Sequence, residues 1–136
     1  MGSPSPPDSP GGYVTWLGLE FLETTGDRVV AAWDVRPDHH QPYGIVHGGV
    51  HCSVVESVAS TGAARWMGER GQVVGVSNQT DFLRAVRDGR LTATGTPVHR
   101  GRLQQLWMVE IRDPQERLVA RGHVRLQNIE NDHLSR

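Results

Sequence analysis

Between Arg28 and Val35 the chain alternates, with Val29, Ala31, Trp33 and Val35 on one side and Val30, Ala32 and Asp34 on the other, the two-residue period of a strand. The Thr24 to Asp27 stretch before it carries turn residues, and the mixed segment from Tyr13 to Glu23 reads as a short helical turn entering a first strand. The pattern then changes. From about Gly48 to Met67 apolar and small residues recur with few helix breakers until Gly62, which predicts one long helix. After Gly68 strand signals return and persist through Val73 to Leu83, Leu91 to His99, Leu103 to Arg112 and Leu118 to Gln127. The last alternates most clearly, with Leu118, Ala120, Gly122, Val124 and Leu126 facing in and Arg121, His123, Arg125 and Gln127 facing out. Asp88-Gly89, Arg100 to Arg102 and Asp113 to Glu116 supply the links. Two strands, one helix and four strands on short turns exclude a doubly wound parallel sheet and predict an α+β fold, an antiparallel sheet wrapped around one long central helix. A single helix covers one face only, which leaves edges or the other face for a second copy.

The helix opens on the stretch that carries chemistry. A loop rich in Pro and Gly, Gln41 to His47, leads to Gly48 and Gly49. The free N–H groups of a helix start leaving a glycine turn favour anions and developing oxyanions. Gly49, Ser53, Glu56 and Ser60 follow at helical spacings and share one small, polar face with a single acid in it. Glu56 is either a solvated helix acid or a site carboxylate. The apolar residues around it (Val50, Val54, Val55, Val58) argue for a partly buried position that needs hydrogen bonds or a function. His47 and His51 have the spacing of two zinc ligands on a helix, with His39 and His40 upstream, but no third ligand is placed, so no metal is assigned. Cys52 reads as helix packing, and no nucleophile-elbow or dinucleotide fingerprint is present.

Composition narrows the classes further. With 136 residues the chain makes one domain, expected over residues 13–128 between a disordered tail at 1–12 and a frayed end at 129–136. A hydrophobic content of 37% is low for a self-sufficient globule and hints at core completed by another copy. The balance of 14 basic against 15 acidic residues gives no general field for nucleic acid. One cysteine excludes an internal disulfide and points to a reducing, cytoplasmic setting, and no run of apolar residues is long enough to span a membrane. All basic residues are Arg; those near turns, including Arg84, Arg87, Arg90 and the His99 to Arg102 link, are ordinary exposed charges or a phosphate-binding rim.

The Gln41-Pro-Tyr-Gly-Ile-Val-His47-Gly48-Gly49 loop, Glu56 nine residues after His47, and the helix followed by four strands resemble the hotdog-fold acyl-CoA thioesterases. The closer resemblance is to the glutamate-dependent 4-hydroxybenzoyl-CoA thioesterase and 1,4-dihydroxy-2-naphthoyl-CoA hydrolase branch, and it covers about Leu17 to Leu126. The Val98 to Arg102 link, Gln105-Leu106-Trp107 and the Arg117 to Gly122 run resemble that branch too. The branch acting on phenylacetyl-type substrates commonly has Asp where this chain has Glu56. The resemblance implies that Gly48 N–H polarises the thioester carbonyl, aided by Gln41 and His47, and that Glu56 acts as nucleophile or general base with Ser60 orienting it or a water. It also implies acyl-CoA contacts from Gly49, Phe82, Arg84, His99, Gly101 and Arg102. No cofactor is expected, coenzyme A being part of the substrate, and the sites are expected to be shared in a dimer or tetramer. Where related naphthoyl-CoA hydrolases can carry His in the third strand, this chain has Phe82. A non-catalytic acyl-CoA-binding module and an acyl-CoA hydratase or dehydratase on the same fold are the alternatives, and the thiol carrier could be coenzyme A or an acyl carrier protein.

Overall fold

The computed structural model describes residues 10–131. A short helix α1 (Gly12–Leu17) leads into β1 (Glu20–Thr24) and β2 (Val29–Asp34); the long helix α2 (Gly48–Met67) follows, then β3 (Gly71–Phe82), β4 (Arg90–Arg100), β5 (Gln104–Arg112) and β6 (Leu118–Glu130). The six strands form one sheet in the order β1-β2-β4-β5-β6-β3, every pairing antiparallel. The sheet wraps around α2 in the hotdog arrangement, and β1 and β3 are its edges.

The four inner strands turn alternate apolar residues to the helix. Val29, Ala31 and Trp33 of β2, Leu91 and Ala93 of β4, Trp107, Val109 and Ile111 of β5, and Ala120, Val124 and Leu126 of β6 are buried against Val54, Val55, Val58 and Ala59 of α2. Contact is close because glycines stand where the helix crosses. A Cβ on Gly122 would lie 2.8 Å from Val55 Cγ1, and one on Gly95 2.8 Å from Val58 Cγ1. In the other direction, a Cβ on Gly62 would lie 2.5 Å from the buried Trp107 ring.

Buried polar groups tie the far end of α2 to the sheet. Gln105, wholly buried, donates from Nε2 to Ala63 O at 3.2 Å and to Asn128 Oδ1 at 2.9 Å. It accepts from Trp107 Nε1 at 2.8 Å. Asn128 Nδ2 donates in turn to the carbonyls of Gly101 and Arg102 in the β4–β5 turn. The expected frayed end is therefore corrected: β6 runs to Glu130, with Ile129 and Glu130 still paired to β3. The strand persists because Asn128 has buried partners for its amide. At the other end, α1 starts at Gly12, inside the expected tail. Residues 1–9 of that tail, and 132–136, lie outside the described residues.

Candidate active site

The Gln41 to Val46 loop is a small hairpin. Gln41 N–H donates to Ile45 O, Gly44 turns the chain at φ 79°, and His40 bridges Val46. Val46 N–H reaches Val86 O at 2.8 Å and His47 N–H reaches His39 O at 2.8 Å, so the chain enters α2 along a fixed line. His47 is the N-cap residue, and its Nδ1 accepts from Gly49 N–H at 2.7 Å. That bond requires an unprotonated Nδ1 and leaves the ring proton on Nε2. Gly48 N–H, the first of the helix, makes no hydrogen bond among the described residues. Neither Gly48 nor Gly49 has a positive φ; both are needed for space rather than for a turn. A Cβ on Gly48 would meet the Phe82 ring at 2.3 Å, and one on Gly49 the His47 ring at 2.9 Å.

Around this helix start lies a cleft of about 270 Å³, lined by Gln41, Ile45, Val46, Gly48, His51, Phe82, Leu83, Arg84 and Ala85. Four of the expected residues (Gln41, Gly48, Phe82 and Arg84) thus meet in one place. Gln41 Oε1 accepts from Tyr43 N–H, which leaves the amide NH₂ as its donor. Phe82 is 55% exposed, and the Arg84 side chain has no partner among the described residues. Arg87 holds the Tyr43 carbonyl, and Arg90 and Arg100 are ion-paired to acidic neighbours.

Glu56 differs from expectation. It is exposed in the protomer, not partly buried, because β3 beside it is an edge strand, with no further strand beyond it among the described residues. Its carboxylate stands over Gly75, at the bulge between Gly75 and Ser77. Asn78 Nδ2 approaches Oε1 at 3.4 Å while donating to Cys52 O at 3.0 Å, and Thr80 Oγ1 fixes Asn78 Oδ1 at 2.7 Å. Sequence reasoning missed Asn78; the signal was a polar interruption in an apolar strand. Ser60 is half-buried one turn beyond Glu56, and Ser53 bonds Gly49 O and Tyr13 Oη.

His99, Gly101 and Arg102 lie elsewhere, at the β4–β5 turn. Gly101 and Arg102 line a second cleft, of about 300 Å³, with Trp66, Met67, Arg70, Glu130 and Asn131. This is the C-terminal end of α2, about 25–30 Å from Gly48 at 1.5 Å per residue. The histidines considered for metal binding are separately engaged or separately placed. His39 accepts from Arg36 N–H and donates to Leu17 O, His40 bonds Arg87 O, and His51 is buried among aromatic rings. Burial and the Arg36 guanidinium hold the His39 pKa below its usual value. No three of His, Cys, Asp and Glu come together among the described residues.

The thioesterase superfamily model matches residues 43–120, from the loop to the start of β6. The chain belongs to the thioesterase superfamily. A solved structure of S. sahachiroi AziG is 60% identical with a TM-score of 0.89, over 90% of this chain and 99% of that one. A Mycobacterium tuberculosis protein named as an esterase is 50% identical over 131 residues, 94% of each chain. The 1,4-dihydroxy-2-naphthoyl-CoA hydrolase of Listeria monocytogenes is 32% identical over 104 residues, 76% of this chain and 85% of that one. The protein is a thioester hydrolase. The matched span contains Gly48, Glu56, Ser60, Phe82 and Arg84, and Gln41 stands just ahead of it.

Proposed function

We propose that the protein hydrolyses an aromatic or related acyl-CoA to the free acid and coenzyme A, at a site built by two subunits. The observation that carries this reading is the separation of the two groups that must flank the thioester. Gly48 and Glu56 are eight residues apart on one helix, about 12 Å along its axis, and a single carbonyl cannot span that. The unpartnered Gly48 N–H of one subunit, with the Gln41 amide, would polarise the carbonyl oxygen. Glu56 of a second copy would approach the carbon. The exposed Glu56 and an edge strand with Val74 45% and Val76 50% exposed support a partner at β3. The opposed ends of α2 support it too, since a partner helix running the other way brings the Arg102 end of one subunit toward the Gly48 end of the other.

Two routes fit the carboxylate. Glu56 attacks the carbonyl carbon and expels the coenzyme A thiolate, leaving a mixed anhydride that water hydrolyses; or it takes a proton from the water that attacks, and the tetrahedral intermediate expels the thiolate. His47, its Nδ1 engaged, would support the oxyanion through the loop it fixes, and Ser60 would orient the water or the carboxylate. No cofactor enters either route. Gly49 holds the cap, while Phe82 and Arg84 would meet the substrate in the first cleft. His99, Gly101 and Arg102 would hold its nucleotide at the second, with the guanidinium favouring coenzyme A as carrier. The Listeria relative is named for hydrolysis of an aromatic acyl-CoA, which supports the acyl class. No helix among the described residues is long and apolar enough to cross a membrane, and with the lone cysteine this supports a cytoplasmic setting.

The test is thiol release from an acyl-CoA panel by wild type and Glu56→Ala. The variant is expected to lose about 10²- to 10⁴-fold in turnover; equal rates overturn the reading. Mixing inactive Glu56→Ala and Gly48→Val chains under exchange conditions tests the shared site. Half of the randomly mixed dimers then carry one intact site in two, so about a quarter of wild-type activity should return. No recovery from chains shown to exchange places both groups in one subunit. Light scattering should show a dimer or tetramer.

A further inference from the structure

His51, one turn beyond His47, has no part in the mechanism above. It is 3% exposed, its ring makes no hydrogen bond among the described residues, and its Nδ1 is sealed from solvent. The ring packs edge-on to Trp33 at 6.5 Å and tilted against Phe82 at 6.0 Å. Trp33 Nε1 is likewise buried without an acceptor. An indole nitrogen is only a donor, so a second N–H at the sealed Nδ1 would set two unsatisfied donors in one aromatic environment. The Nε2–H tautomer avoids this. Nε2 is the ring nitrogen that is not sealed, and His51 lines the first cleft beside Gly48 and Gln41. Burial keeps the ring neutral, lowering its pKa to about 4. The cleft therefore contains a fixed, uncharged, unused donor one helical turn from the N–H assigned to the thioester carbonyl.

We propose that His51 is a specificity-determining residue which donates from Nε2 to an uncharged oxygen substituent (hydroxyl or keto) on the acyl group. The inference rests on the acyl-CoA hydrolase reading and adds the chemistry of the acyl half. A volume of about 270 Å³ is at the small end for ligand sites, which suits an acyl group alone. The Phe82 ring supplies an apolar wall, and the one charged side chain on the cleft, Arg84, is exposed at its rim. A bare acyl group filling the cleft would shut water away from this donor and leave it unpaired; an oxygen in reach satisfies it. One such bond discriminates by roughly ten- to a hundredfold.

The test compares kcat/KM for benzoyl-CoA with its 2-, 3- and 4-hydroxy derivatives, and for hexanoyl-CoA with 3-hydroxy- and 3-oxohexanoyl-CoA. At least one oxygen-bearing substrate should be favoured over its bare counterpart by about tenfold or more in wild type. The ratio should fall toward one in His51→Phe and in His51→Asn, whose amide reaches only where Nδ1 stood. It should be partly kept in His51→Gln, whose amide reaches the Nε2 position. A ratio unchanged in His51→Phe and His51→Asn, or no preference in wild type, overturns the proposal, since a merely structural histidine lowers both rates and leaves their ratio alone. Should His51→Phe fail to fold by circular dichroism, the Asn and Gln pair decides. Wild type releasing thiol from none of these substrates would instead overturn the hydrolase reading on which the proposal stands.

Discussion

The two ends of α2 handle buried polar groups in opposite ways. Near Met67, the Gln105 amide joins Ala63, Trp107 and Asn128 in a closed network, with each named donor matched to an acceptor. Near Gly48, the His51 ring and Trp33 Nε1 are as deeply buried, yet neither Nδ1 nor Nε1 has a partner. Burying polar atoms costs free energy wherever it happens; the Gln105 network offsets that cost with hydrogen bonds, whereas His51 Nδ1 and Trp33 Nε1 do not. The satisfied end fixes the fold, holding β6 to the β4–β5 turn and the helix to the sheet. The unsatisfied end adjoins the free Gly48 N–H and the cleft. Of the unpartnered buried polar atoms among the described residues, His51 Nδ1 and Trp33 Nε1 lie at the Gly48 end and Asn131 Oδ1 lies beside the second cleft, so unused bonding capacity sits next to the clefts and not in the Gln105 network.

The largest effect expected from this contrast is on the satisfied end. Gln105→Leu keeps the volume but leaves Trp107 Nε1 and Asn128 Oδ1 buried and unpaired, a loss of about 3 kcal/mol. Urea unfolding should show it, while thiol release per folded molecule stays at wild-type level. A stability change under about 0.5 kcal/mol would mean that the network contributes no more than a surface contact.

A matched pair of glycine substitutions sharpens the contrast along a single helix. Gly62→Ala sets a methyl 2.5 Å from the Trp107 ring, which is wholly buried and pinned through its indole nitrogen. Overpacking should exceed the gain in helix propensity and cost about 2 kcal/mol. Gly48→Ala sets a methyl 2.3 Å from the Phe82 ring, which is 55% exposed and can swing outward. Stability should then change by less than about 1 kcal/mol. Displacing Phe82 from the cleft should lower kcat/KM by about tenfold or more, an effect on the scale of a lost transition-state contact. The reverse outcome, with Gly48→Ala unfolded and Gly62→Ala folded but inactive, would invert the roles of the two ends.

Much of this was legible in the sequence, and the parts that were not share a cause. The helix bounds, the six strands and the inward residues of β6 follow from local periodicity, which packing then reinforced. Asn128 did not, because its reason for being ordered lies in Gln105 and in the Gly101 and Arg102 carbonyls, more than twenty residues away. Glu56 was expected partly buried from its apolar neighbours along the chain. Burial there depends on what lies across β3, and the edge of a sheet is not encoded in helix spacing. His51 was weighed only for metal binding, since the residues that isolate its ring, Trp33 and Phe82, come from β2 and β3. Gln41, Gly48, Phe82 and Arg84 meet on one cleft, while the placing of the His99 to Arg102 link at the far end of the helix was not readable from spacing at all.

The smallest effect separates the two ends by titration. Burial lowers the His51 pKa from 6.5 to about 4, so the folded protein holds its ring neutral where the unfolded chain takes up a proton. The stability this contributes is fully present above pH 6.5 and is lost as pH falls toward 4, about 1 kcal/mol of it between pH 7 and 5.5. That window lies above the ordinary carboxylate range. The rings packed on His51, from Trp33 and Phe82, are uncharged, and Arg84, on the same cleft, is a cation that cannot favour protonation. His39, its pKa also lowered, adds a slope of the same sign. Chemical denaturation at pH 7 and 5.5 should therefore show a smaller difference for His51→Phe than for wild type, with the His39 part remaining. Gln105→Leu, which removes a group that does not titrate, should lower both values equally. An undiminished pH difference in His51→Phe would mean that the imidazole is hydrated in solution, and the cleft would then lose its unsatisfied donor.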